Sequence, residues 1–251
     1  MIRQSEEGAE RIQKVLARLG YGSRRVCEDM IVDGRIKVNG SLAILGDRMV
    51  PGVDRLEVDE RSVCTETDLV YYLLSKPKGV ISTAFDPEGR QSVVDLVPKD
   101  PRVFSVGRLD ADSEGLLIMT NDGELTQQLT HPSHGVEKEY LVYLRHQPTD
   151  SDLSKLKRGI YLNDGKTLPT RITRLAPQLV RMTLHEGRNR QIRRMFEAVS
   201  NEVVRLVRVR IGPISDKTLK PGLYRELSSM EVIKLRSASM QNTKSRTHEV
   251  R

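Results

Sequence analysis

The sequence predicts an α+β protein in two parts: a small module of two helices plus a small sheet, then a larger core on a mixed, largely antiparallel sheet. Three observations carry this. Two helix-period apolar stripes and a hairpin signal crowd into residues 10–58. Residues 59–68, DERSVCTETD, are polar throughout and read as a linker. From Leu69 to residue 236, strands and helices mix without the regular βαβ rhythm that marks a parallel sheet.

In the module, Ile12, Val15, Leu16 and Leu19 recur at helical spacing, and Gly20 follows as the stop. Ser23 is placed to cap a second helix, with Val26, Met30 and Ile31 inward and Gly34 at its end. Ile36 and Val38 alternate ahead of an Asn39-Gly40 hairpin turn, and a short strand over Leu56–Val58 closes the unit. In the core, LVYYLLS is a strand interrupted at Lys76-Pro77-Lys78-Gly79, VIST resumes as a strand, and DPEGRQ is a loop. GLLIMT, bounded by turn residues, has the pattern of a buried strand. ELTQQLTH reads as a short helix stopped by Pro132, and EYLVYL and LVRMTL read as strands. RQIRRMFEAVSN is a helix with Ile192, Met195, Phe196 and Val199 on one face, and VVRLVRVRIGPI is a strand. Residues 1–9 read as a frayed start, and residues 237–251 have the composition of a disordered tail.

The 251 residues carry 41 Lys+Arg against 34 Asp+Glu, a net charge of +7, which points to a polyanionic partner without identifying it. No apolar run approaches the roughly 20 residues of a spanning helix, and the N-terminal stretch lacks the apolar segment of a secretory signal. The expectation is a cytoplasmic, monomeric chain with no membrane partner. Cys27 and Cys64 lie in no CxxC pair and read as reduced thiols. Neither a GxxxxGK[ST] loop nor a strand-linked GxGxxG occurs, so nucleotide cofactors lack their usual support.

Four constellations could carry chemistry. Ser23-Arg24-Arg25 opens a helix, where free N–H groups and the positive dipole end favour an anion. Lys14, Arg18, Arg35 and Lys37 could extend that surface over phosphates, although a solvated basic face is the ordinary alternative. In GRLDADSEGLLIMTNDG, residues 107–123, Asp110, Asp112, Glu114 and Gly115 imitate a calcium loop. Its closing carboxylate is missing, however, since Asn121 stands there. What remains is Asp110 beside Arg108, for which a surface ion pair is the plain alternative. HEGRNRQIRRM concentrates Arg188, Arg190, Arg193 and Arg194, with Arg205, Arg208 and Arg210 following on the next strand. One of these could turn inward toward a carboxylate. His131-Pro-Ser-His134 has no third ligand nearby and is not read as a metal site. Tyr140 is core by base rate, or a stacking platform for an extruded base in an RNA enzyme.

Taken together, these motifs are similar to those of the pseudouridine synthases. GRLDADSEGLLIMTNDG resembles the catalytic motif, and KPKGVIST, DPEGR, EKEYLV and EGRNRQIRRM resemble the accompanying motifs of the RsuA/RluB branch, in the same order. The opening residues resemble a small RNA-binding module named after a small-subunit ribosomal protein. IQKVLARLGYGSRR is most similar to members acting on large-subunit ribosomal RNA. The resemblance implies a pseudouridine synthase core that isomerises uridine in ribosomal RNA, or in a ribosomal subunit precursor, after flipping out the base, with no cofactor and no metal. It implies that Asp110 is the essential carboxylate, acting at C1′, on the uracil, or on the 2′ proton. Arg193 matches the basic partner, Tyr140 the tyrosine that stacks on the base, and Leu206 the aliphatic residue beneath it. Arg108 would contact phosphate or the flipped nucleotide. Arg188, Arg190 and Arg194 remain candidates for tracking the RNA. Ser113 stands where Thr is common, and His185 precedes Glu186; neither change removes a catalytic group.

Overall fold

The computed structural model describes residues 8–84, 86–131 and 135–247, with side chains through 238. It divides into two units, one reaching Val70 and including Pro98–Val103, the other holding Tyr71–Val97 and the chain from Phe104 onward.

The first unit runs β1 (Glu10–Arg11), α1 (Ile12–Arg18), α2 (Arg24–Val32), β2 (Ile36–Val38), β3 (Ser41–Leu42), β4 (Arg48–Met49), β5 (Leu56–Val58) and β6 (Arg61–Val63). Strands β3-β2-β5-β6 form one antiparallel sheet, and β1 pairs with β4. Asn39 and Gly40 both take positive φ, as a two-residue hairpin turn requires. Ile12, Val15, Leu16, Cys27, Met30, Ile31, Ile36 and Leu56 close over one apolar core. Each large side chain there contributes about 1.5–3 kcal/mol.

Three expectations change in this unit. Cys27, not Val26, joins Met30 and Ile31 on the buried stripe of α2. Val26 is 46% exposed and lies over Gly22, where an added Cβ would come within 2.7 Å of it. The stretch read as a linker begins instead with β6, paired to β5. Asp59 and Glu60 make that turn at positive φ, without the glycine that would have announced it. Arg102, from the Pro98–Val103 excursion, donates to the carbonyls of Gly22 at 2.7 Å and Ala17 at 3.4 Å.

The second unit runs β7 (Tyr71–Lys76), a 3₁₀ turn (Val93–Leu96), β8 (Phe104–Ser105), β9 (Glu114–Thr120), α3 (Gly123–Thr130), β10 (Lys138–Leu144) and α4 (Asp150–Arg158). It continues through β11 (Tyr161–Leu162), β12 (Gly165–Lys166), β13 (Arg171–Ala176), β14 (Leu179–Leu184), α5 (Gln191–Glu197) and β15 (Val203–Ile211). It ends with β16 (Ile214–Ser215), β17 (Tyr224–Glu226) and α6 (Ser229–Thr247). The main sheet has the order β13-β14-β10-β15-β9-β7-β17, with β16 on β15 and β8 on β9. Of its named strand pairs only β15–β9 is parallel, so the sheet is mixed and largely antiparallel.

Two apolar clusters flank this sheet. One joins β10, β14 and β15 to α4 and α5; the other joins β7 and β9 to α3 and α6. At the parallel seam the two backbones nearly touch: a Cβ on Gly115 would stand 2.2 Å from the carbonyl oxygen of Arg208. Gly115 also has φ +107, so glycine is required there twice over.

VIST is not a strand beyond a single bridge from Ile81 to Ser92, and SVVDLVP folds as the 3₁₀ turn, with Ser92 and Asp95 as a capping box. Residues 150–158 form α4, whose capping box of Thr149 and Asp152 is legible in the sequence. The tail expected to be disordered is helical to Thr247. Val232 and Leu235 bury its first turns, Arg236 pairs with Asp122, and no Gly or Pro intervenes to stop it. Residues 1–7, 85, 132–134 and 248–251, including Pro132 and His134, lie outside the described residues.

Candidate active site

The segment between Leu109 and Ser113 turns tightly before entering β9, and it is held at every carbonyl. Leu109 O accepts from the Ser82 hydroxyl at 2.8 Å, and Asp110 O from Ser113 N–H at 3.0 Å. Ala111 O accepts from Gly79 N–H at 2.7 Å, Asp112 O from Arg193 at 3.1 Å, and Ser113 O from Lys76 Nζ at 2.8 Å. Donors from three separate motifs, KPKGVIST, the turn's own and EGRNRQIRRM, thus converge on one turn. They fix the backbone of Asp110 while leaving its half-buried side chain free to face the cavity beside it. Such restraint keeps a reacting carboxylate in position without reorganisation.

That cavity has a volume of about 430 Å³, and its wall includes Arg108, Asp110, Ser113, Lys138, Tyr140 and Leu206. Register explains the grouping. Tyr140 lies opposite Arg208 and Val142 opposite Leu206 across β10 and β15, and alternate residues of a strand share a face. Lys138, Tyr140, Leu206 and Arg208 therefore come to one side of the sheet, next to the Asp110 turn. Asp110 and Arg108 form no ion pair with each other; Arg108 is exposed at the cavity wall.

Arg193 is turned inward, but not onto Asp110. It is 7% exposed and donates to Val203 O at 2.7 Å as well as to Asp112 O, and its Nε lies 3.2 Å from the Asp112 carboxylate. Arg190 meets the same carboxylate at 3.1 Å. The resemblance gives Arg193 as the basic partner of the site; in the structure its bonds brace the turn, outside the cavity wall. Lys76 is fully buried, with Pro77 O as its second acceptor at 2.9 Å. Burial lowers its pKa to about 8, against the opposing pull of Asp110 and Asp112. Sequence reasoning took this lysine for loop punctuation. Nothing in KPKG tells a buried lysine from an exposed one.

The residues expected to grip RNA fall into two groups. Lys14 and Arg18 pair with Glu10, Arg35 pairs bidentately with Asp59, and Lys37 stands 3.6 Å from Glu60. Ser23 caps α2 through Val26 N–H at 3.3 Å. Arg24 and Arg25, exposed on the first turn of α2, have no ion pair among the described residues. In the second unit, Arg188 ties the carbonyls of Asp164, Gly165 and Lys166, while Arg194 clasps the Asp164 carboxylate at 2.8 and 3.0 Å. These two hold the β11–β12 hairpin to α5 and the loop before it.

The chain is similar to known proteins along most of its length. The chain belongs to the RNA pseudouridylate synthase family, whose model matches residues 70–198, and residues 10–46 match the S4 domain. It is an RNA pseudouridine synthase. Among similar proteins is the ribosomal large subunit pseudouridine synthase B of Bacillus subtilis (strain 168), 43% identical over 91% of this chain and 96% of that one. The protein of the same name from Salmonella typhi is 43% identical over 91% of this chain and 82% of its own. A crystal structure of a pseudouridylate synthase superposes with a TM-score of 0.67 at 30% identity, covering 90% of this chain and 99% of that one.

Proposed function

We propose that this chain isomerises a uridine of large-subunit ribosomal RNA, with Asp110 as the catalytic carboxylate. The observation that carries the reading is the turn of Leu109–Ser113: five consecutive carbonyls are bound so that one carboxylate is presented to a cavity sized for a nucleoside. Tyr140 and Leu206 in the same wall would receive the flipped base, and Arg108 the neighbouring phosphate. Arg193 acts by bracing the turn. Arg24 and Arg25 at the start of α2 supply the grip of the first unit on phosphates.

Uridine and pseudouridine have the same atoms. The C1′–N1 bond breaks, the uracil rotates, C5 bonds to C1′, and C5 loses its proton; no oxidant, reductant or nucleotide is consumed, so the reading includes no cofactor. The large subunit is favoured by the names of the relatives. A cytoplasmic monomer acting on ribosomal RNA fits the basic charge, and no helix among the described residues is long and apolar enough to cross a membrane.

The test is tritium release from ribosomal RNA labelled at uridine C5, with large- and small-subunit RNA kept separate. Release from large-subunit RNA alone is expected. Release from small-subunit RNA alone would move the substrate. No release from naked RNA or from immature subunits of either kind would remove the assignment.

A further inference from the structure

Two cations, the half-buried Lys138 and the buried Arg208, share the cavity wall, and neither has a counter-ion among the described residues. Lys138 opens β10, two residues before Tyr140 and therefore on its face, and its Nζ donates to Val136 O at 3.0 Å. Arg208 lies opposite Tyr140 on β15, is 3% exposed, and donates through Nε to Leu116 O at 2.7 Å. Its Nη2 is buried without a hydrogen-bond partner. Among the described residues neither cation is in an ion pair. Elsewhere in the unit arginines are matched: Arg190 and Arg193 to Asp112, Arg194 to Asp164, Arg205 to Glu114, Arg210 to Glu137. Burial, and then the nearby Arg208, press Lys138 down to about 8. Holding a buried guanidinium unpaired beside a second, half-buried cation is costly, and it persists where a negative charge is to be received.

The reaction creates such a charge. When C1′–N1 breaks, the bonding pair goes to N1, and the uracil becomes a monoanion delocalised over O2 and O4. C1′ is satisfied either by a pair from Asp110 or by losing the 2′ proton to it. The anion is discharged when a pair on C5 forms the bond to C1′ as Asp110 takes back its pair or returns the 2′ proton; C5 then gives up its proton and N1 takes one up. A base lying on Tyr140 would have Lys138 and Arg208 beside it throughout.

We propose that Lys138 and Arg208 are catalytic residues that stabilise the uracil anion as it leaves C1′. The proposal rests on the pseudouridine synthase reading of this cavity. A backbone phosphate is the other anion an RNA brings, but Arg208 is too deeply buried for it, while the exposed Arg108 stands in the same wall. Donors aimed at developing charge are typically worth about 10²–10³ in rate.

The experiment compares single-turnover rates on two RNAs that differ only at the target, uridine or 5-fluorouridine, reading loss of the intact target nucleoside in digests. Fluorine stabilises the uracil anion and so reduces the need for the cations. Lys138→Gln and Arg208→Gln are each expected to slow the uridine RNA about 100-fold and the fluorinated RNA about 10-fold or less, with RNA affinity within about threefold. Lys138→Arg, which keeps the charge and guards against a variant that does not fold, is expected to restore most of the rate. Equal losses on both RNAs would overturn the proposal, as would a loss confined to RNA affinity, which would make the pair a phosphate clamp. Both results would leave wild-type isomerisation, and so the assigned reaction, untouched.

Discussion

Arg24 and Arg25 stand exposed at the start of α2 with no ion pair among the described residues, whereas Arg188, Arg190, Arg193 and Arg194 are each bound to carboxylates or carbonyls of their own unit. Both groups are adjacent arginines around a helix start, and by charge density the second is the stronger candidate for nucleic acid. The difference lies in what surrounds them. α2 has no acid in its first turn, so its guanidiniums stay in water for an outside anion. The loop before α5 has Asp112, Asp164 and Glu186 within reach, and its guanidiniums become struts. A cluster of arginines thus marks either a binding surface or a scaffold, and the neighbouring carboxylates decide which.

The sharpest way to break this contrast is to remove the most deeply buried strut. Arg193→Gln leaves the Asp112 carboxylate with Arg190 and frees the Asp112 and Val203 carbonyls. A stability loss of about 3 kcal/mol in denaturant titration is expected, with turnover falling about 100-fold as the turn loosens. Unchanged turnover in the folded variant would mean that Arg193 braces nothing that matters.

Next in size is the exposed pair. Arg24→Glu with Arg25→Glu is expected to lower RNA affinity and to flatten the log–log salt dependence by about 2, with melting unaffected. Arg188→Ala with Arg194→Ala should do the reverse, costing about 1–2 kcal/mol of stability while leaving the salt slope alone. If the two double variants shift the slope equally, the distinction between surface and scaffold fails.

The smallest effect concerns the ties at the start of α6. Arg225 holds Glu231 well below its ordinary value of 4.5, at about 2, through paired hydrogen bonds, and it holds Asp216 low as well. A carboxylate depressed in the folded state stabilises fully above its unfolded value, and that contribution is lost as pH falls through the folded one. The gap in melting temperature between wild type and Glu231→Gln is expected to be constant near neutrality and to close between about pH 4.5 and 2. A gap that persists at the acid end would contradict the pairing.

How far these features were legible in the sequence depended on whether their signal is local. Helix α1, the Asn39-Gly40 hairpin, β9 and α5 follow from periodicity and turn residues within a few positions of each other. The Asp59-Glu60 turn carries no glycine, and the later part of α6 lacks a strong apolar pattern, so residues 59–68 read as a linker and residues 237–251 as a disordered tail. Asp110, Tyr140 and Leu206 could be grouped from motif likeness, and the register of β10 on β15 puts the latter two in one cavity wall. What no local pattern revealed was the bracing of the turn, because its donors at Lys76, Gly79, Ser82 and Arg193 are far from it in the chain and reach it only on folding. For the same reason no local pattern shows that Arg193 meets Asp112: Asp110 and Asp112 are two residues apart, and only the turn's geometry separates them.

The division of labour between grip and chemistry is tested most directly by Asp110→Asn, with turnover and RNA affinity measured on the same RNA under the same salt. Turnover is expected to vanish, with RNA affinity held within about threefold. Turnover retained in that variant, or lost only in step with affinity, would contradict the assignment of the chemistry to this carboxylate.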